Sequence, residues 1–132
     1  MKGLLLAVLL SFPLFAADEL VVLYQCYTPR VADTGYQLVI ETGGIAGITQ
    51  VKVSENSFVG AKYLGKFIVS TQETGSSTVY TGKDIRVVIG PGEYPAEIGI
   101  PSKVYRATFV LKGNDGKKHQ GPLNCRSPQD PQ

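Results

Sequence analysis

Apolar and polar residues alternate one by one along much of this chain, most clearly between positions 105 and 112. There Tyr105, Ala107, Phe109 and Leu111 share one face, while Arg106, Thr108 and Lys112 share the other with Val110. A period of two sends successive side chains to opposite faces of a strand, one set toward a core and the other toward water. Ile85, Val87 and Ile89 repeat the pattern beside Arg86. β-Branched and aromatic runs of this kind recur at roughly 8–15-residue spacing, punctuated by Gly, Pro, Asn and Asp. They predict eight strands: Leu20–Tyr27, Tyr36–Thr42, Gly47–Ser54, Lys62–Thr71, Ser77–Thr81, Lys83–Ile89, Lys103–Lys112 and Lys117–Asn124. Helix signals are nearly missing.

The punctuation predicts the connections. Thr42-Gly43-Gly44 offers the positive φ angles of a tight turn, and Gly113-Asn114-Asp115-Gly116 is the strongest turn in the chain. Gly90-Pro91-Gly92 and Pro95 break the longest interval between strands, so Gly90 to Ser102 reads as an exposed loop. The tail from Arg126 to Gln132 holds two prolines and no apolar residue, and is expected to be disordered. The fold class that follows is all-β, about eight antiparallel strands in a small closed barrel or a sandwich. Val22, Leu38, Ile40, Val51, Phe67, Val69, Val87, Tyr105, Phe109 and Leu111 are the side chains expected to face inward.

Residues 1–17 read differently from the rest. Lys2 precedes an apolar run from Leu4 to Leu14, and Phe15-Ala16-Ala17 ends in small residues before Asp18-Glu19. That is the layout of a cleaved secretory signal, and the run is shorter than the ~20 residues that span a bilayer. No later stretch approaches that length, so stable membrane insertion is not expected after the signal is removed. A single domain over 18–125 in the periplasm or outside the cell follows. In such a compartment Cys26 and Cys125, the chain's two cysteines, form one disulfide. A bond closing so long a loop contributes about 4–5 kcal/mol in the chain-entropy view. It also requires the first and last strands to lie within disulfide reach, which favours the barrel.

Charge narrows the partners. Without Lys2 the 13 basic residues of the chain fall to 12, against 11 acidic ones. No run of like charge exceeds Lys117-Lys118 or Asp18-Glu19, which argues against a nucleic-acid or polyanion footprint. Catalytic chemistry finds little material. His119 is the one histidine, set between Lys118 and Gln120 just past the strong turn, and is expected to be solvated. There is no Gly-x-Ser-x-Gly elbow, and the disulfide removes both thiols. One histidine and two oxidised cysteines do not make a zinc site, and no Asp-x-Asp-x-Asp-Gly loop holds calcium. Glu93 and Glu97 flank Tyr94-Pro95 on a predicted loop, a pair of the type that glycosidases use, and a hydrolase of envelope polymers acting through them is the second alternative. The expectation is a non-enzymatic binding module without cofactor, directed at a protein or an envelope polymer. Seven tyrosines and no tryptophan supply its large contact side chains. Tyr24, Tyr36 and Tyr105 fall in strand registers as core or core-edge residues, while Tyr63 and Tyr94 stand beside loops.

One segment suggests a sharper reading. Ser57-Phe58-Val59-Gly60-Ala61-Lys62-Tyr63, followed by Thr78-Val79-Tyr80, resembles the membrane-bound and periplasmic inhibitors of C-type lysozyme. Tyr24-x-Cys26 and Cys125 are similar to that family's cysteine framework. The resemblance implies an eight-stranded antiparallel barrel whose Ser57–Tyr63 loop enters the enzyme cleft. It also implies that Lys62 faces acidic cleft residues and can be replaced at little cost to the fold. The chain departs from the family at Val59, where an inhibitory serine is expected, and at Phe67-Ile68, where several members carry tryptophan. Ser57, Gly60, Lys62, Tyr63 and Tyr94 are the candidate partner-binding residues.

Overall fold

The computed structural model describes residues 19–29, 34–44, 47–94 and 103–128. The leader over 1–17, the stretch 95–102 with Glu97, and the last four residues lie outside the described residues. Eight strands form: β1 Leu20–Tyr27, β2 Thr34–Gly43, β3 Ile48–Ser57, β4 Gly60–Thr74, β5 Ser77–Thr81, β6 Ile85–Tyr94, β7 Val104–Lys112 and β8 Lys118–Arg126. Each pairs antiparallel with the next, and β8 returns to β1, so the sheet is a closed barrel rather than a sandwich.

The core follows the alternation. Leu38, Ile40, Val51, Val69, Val87, Phe109 and Leu111 are buried together, with Phe67 and Tyr105 packed against them in part. Val22 does not join this core. The β1–β2 register shifts between Val22 and Tyr24, so a bulge changes the phase of β1 and brings Leu23 and Tyr24 onto the cluster instead.

β4 changes partner along its length. Its residues up to Val69 pair with β3, and Ser70 to Thr74 pair with β5. The strand bends at Gly65, whose φ of 139° admits no ordinary side chain and whose Cα is covered by the Phe67 ring. The β3–β4 register shifts opposite it, between Val53 and Ser54.

Two expectations are corrected here. The loop predicted from Gly90 does not begin there, because β6 runs on to Tyr94. Ile89 pairs with Ala107 and Glu93 with Tyr105, so Gly90-Pro91-Gly92 is taken up as a bulge inside a continuing ladder. Gly90 makes this possible with φ of 81°, since a Cβ there would lie 2.7 Å from the Ser76 carbonyl oxygen. The tail is ordered at its start. Arg126 pairs with Gln25 and places its guanidinium 5.9 Å from the centre of the Tyr27 ring, and Ser127 is buried. The neighbouring disulfide explains this order: it pins Cys125 to Cys26, and the flanking residues extend the ladder.

That disulfide closes the barrel at its narrowest seam. β1 and β8 share three residue pairs, with Cys26 opposite Cys125 in the middle one and their Cα atoms 4.0 Å apart. The bond is compatible with an oxidising, exported compartment. Among the described residues no helix is long and apolar enough to cross a membrane.

Candidate functional site

Because the strands alternate in direction, the β1–β2, β3–β4, β5–β6 and β7–β8 connections share one end of the barrel. The β3–β4 hairpin projects there. Ser57 pairs with Gly60, leaving Phe58 and Val59 as a two-residue tip. Phe58 is 92% exposed and Val59 98%. The stem below them is held on both sides. Thr34 and Gly35 of β2 pair with Ser57 and Asn56, and Ala61 and Lys62 of β4 pair with Asn56 and Glu55. A paired stem presents the tip in one orientation, so binding does not require ordering it.

Ser57, Gly60, Lys62 and Tyr63, singled out from the sequence, therefore lie together on one hairpin, all exposed. Tyr94 is not brought to them, since it ends β6 at the opposite end of the barrel, its backbone paired with Val104. Phe58 and Val59 lie in the same loop but are not among the candidate binding residues, Val59 entering only as a departure from the inhibitor family. The signal available was an apolar pair between two turn-compatible residues, Ser57 and Gly60.

A chain of polar groups braces the hairpin from inside the barrel mouth. Lys62 Nζ lies 3.1 Å from Asp115 Oδ2 in the β7–β8 turn. Asp115 also accepts the Lys117 backbone N–H at 3.0 Å and faces His119 Nε2 at 3.1 Å. On the far side of the imidazole, Nδ1 meets the Tyr36 hydroxyl at 2.9 Å, and Glu55 Oε2 stands 3.6 Å away. The roles follow the tautomer: with Nε2–H donating to Asp115, Nδ1 of a neutral ring would accept from the tyrosine hydroxyl, for which Glu55 is a second acceptor. Below this layer Tyr36 rests edge-on to Phe109, ring centres 4.9 Å apart, where the polar cap meets the apolar core.

His119 is thus buried, 7% exposed, and the expectation of a solvated histidine is corrected. It shares the inward parity of Leu123 and Cys125 on β8, and its partners meet the cost of burying an imidazole. The electrostatics are those of a held network. The Lys117 amide, then Lys62 and His119, keep the Asp115 carboxyl well below the usual range. Burial first, then the Glu55 charge, push the Tyr36 hydroxyl up, which disfavours a phenolate. An Asp–His–Tyr series resembles an acid–base relay, yet here each member is fastened to a different element, Asp115 to the β7–β8 turn, His119 to β8 and Tyr36 to β2.

A second ion pair lies on the barrel wall. Glu41 of β2 is bound to Lys52 at 2.9 Å and to Gln50 Nε2 at 2.7 Å. The Lys52 bond lowers its carboxyl despite the opposing effect of burial. Among the described residues no group of three or more His, Cys, Asp or Glu side chains is placed to hold a metal ion.

Comparison of the chain with protein-family models, with curated proteins and with solved structures finds no match.

Proposed function

We propose that this chain is an exported, non-enzymatic binding module that seats the Phe58–Val59 tip of its β3–β4 hairpin in an apolar cleft of a partner protein. The observation that carries the reading is the near-complete exposure of two apolar side chains on a braced hairpin. Burying each of them would gain roughly 1.5–3 kcal/mol, and the hairpin is already ordered before contact. Export supplies the setting and the disulfide the stability such a module needs there.

A photo-cross-linking residue in place of Phe58 tests this in the exporting cell. A discrete protein adduct from position 58, and none from the exposed Gln72 at the other end of the barrel, supports the reading. Adducts from both positions, or from neither, count against it.

A narrower version is favoured by one specific observation: Gly60-Ala61-Lys62-Tyr63 forms the exposed arm beside the tip. In this reading the partner is a C-type lysozyme, and the hairpin blocks its cleft. Lys62 would then exchange its Asp115 contact for acidic groups of the enzyme. Purified protein at micromolar concentration should slow lysozyme clearing of a sensitive cell suspension, and Phe58→Ser should remove that protection. No protection by the native chain ends the lysozyme reading and leaves the general one to the cross-linking test.

A further inference from the structure

The outer faces of β6, β7 and β8, with the β5–β6 and β7–β8 turns, form an open groove of about 490 Å³. Lys83, Arg86, Lys112 and Lys118 line it, and Asp84 is the one acid beside them. The strand register fixes their spacing. Lys112 and Lys118 are direct cross-strand partners, and Arg86 opposes Val110, which places it diagonal to Lys112. Directly opposed residues have Cβ atoms ~4.5–5.5 Å apart, where like charges destabilise a sheet, and diagonal ones are up to ~7–8 Å apart. On other parts of the barrel Lys52 is paired with Glu41 and Lys62 with Asp115, and Lys66 lies directly opposite Lys52. Among the described residues none of the four groove cations makes an ion pair. The fold therefore gathers four cations and one acid, a net positive charge, in one open groove.

We propose that this groove is a binding site for an oligophosphate, a soluble ligand with two or more closely spaced phosphate groups. The opposed lysines suit one doubly charged oxyanion between them, and the Arg86 fork suits a second. A groove of this volume is in the range that holds discrete ligands. No aromatic side chain lines it, so it lacks the platform on which nucleic-acid bases or neutral sugars stack. The site is separate from the hairpin and does not depend on the hairpin's partner.

Titration of the disulfide-bonded protein with tripolyphosphate, followed by calorimetry and by amide chemical shifts, tests the proposal. Saturable binding is expected, with shifts centred on residues 81–86 and 110–118. Lys112→Gln and Lys118→Gln should each weaken it roughly tenfold or more, the loss of one charge-assisted contact, while Lys66→Gln on the opposite wall leaves it unchanged. Both groove variants should also melt higher than the native chain without ligand, because each relieves the opposed pair. Phe58→Ser should bind as the native chain does. Lack of saturable binding, or an equal loss in Lys66→Gln, overturns the proposal. So does binding confined to vesicles of anionic phospholipid, or to single-stranded DNA, with none to tripolyphosphate.

Discussion

Lys62 Nζ and Asp115 Oδ2 stand 3.1 Å apart, and this ion pair joins the stem of the β3–β4 hairpin to the β7–β8 turn, 53 residues away in the chain. Its position matters more than its isolated strength. The first half of β4 has β3 on one side but no β5 partner on the other, since β5 pairs only from Ser70 onward. The β7–β8 turn covers that edge, with the Asn114 backbone N–H donating to the Leu64 carbonyl at 2.9 Å. The ion pair and this hydrogen bond together close the barrel mouth beneath the hairpin.

Replacing Lys62 tests the closure. An exposed pair is worth ~0.2–1 kcal/mol, so Lys62→Gln should lower Tm by about 1–8 °C, at ~4–8 °C per kcal/mol. Lys62→Glu sets a carboxylate against Asp115 and should lower Tm further, with faster hydrogen exchange at Asn114. The sequence alone leads to the expectation that Lys62 can be replaced at little cost to the fold, and the Asp115 contact makes that cost measurable. Equal melting of Lys62→Glu and the native chain would mean that the pair does not brace the mouth.

Acid should destabilise the protein through Asp115 and Glu41. Both carboxyls are lowered in the folded state from ordinary values of 3.8 and 4.5. The unfolded chain then binds more protons at low pH, so their contribution is fully present above about pH 5 and is lost as pH falls toward the depressed folded values. Thermal melts from pH 7 to pH 3 should show this fall in the native chain. Asp115→Asn combined with Glu41→Gln should start lower at pH 7 and fall less on the way down. A parallel fall in both proteins would assign the acid sensitivity to other groups.

The architecture was largely legible because strands announce themselves locally. β1 and β5 lie where the apolar runs begin and end, and the Cys26–Cys125 pair foretold the closure between first and last strands. What escaped depends on register or on distant neighbours. Val22 lost its place to a bulge that no single residue marks, and Gly90-Pro91-Gly92 reads as a loop although a glycine at positive φ lets the ladder continue. His119 looks solvated between Lys118 and Gln120, yet its parity with Leu123 and Cys125 was a signal that it faces inward. Charge runs were the wrong measure of a basic surface. Lys83, Arg86, Lys112 and Lys118 are scattered in the chain, and only antiparallel pairing gathers them.

The hairpin tip should be nearly free of structural cost. Phe58 and Val59 touch solvent on almost every side, and surface substitutions of this kind usually change stability by less than ~0.5 kcal/mol. Phe58→Ser and Val59→Ser should therefore keep the native Tm while abolishing partner cross-linking through a probe at Ser57. A large drop in Tm would show the tip packed against something in the folded chain and remove the main support for its role in binding.

The disulfide gives the largest expected effect, and its location makes the outcome specific. Cys26 and Cys125 are 99 residues apart in sequence, and a loop of that length is worth about 4.7 kcal/mol in the chain-entropy view, with ~2–5 kcal/mol typical on removal. The paired substitution Cys26→Ser with Cys125→Ser should then lower Tm by at least ~8 °C, given ~4–8 °C per kcal/mol. The bond also sits at the middle of the three-pair β1–β8 seam, while the other seams are longer ladders. Loss of the bond should consequently open that seam before the rest. Amide exchange in the double variant should rise first at Gln25, Tyr27 and Arg126, at temperatures where Val51, Val87 and Phe109 remain protected. If exchange instead rises together at the seam and in the core, the bond acts only on the unfolded chain, and its place on the seam has no local consequence.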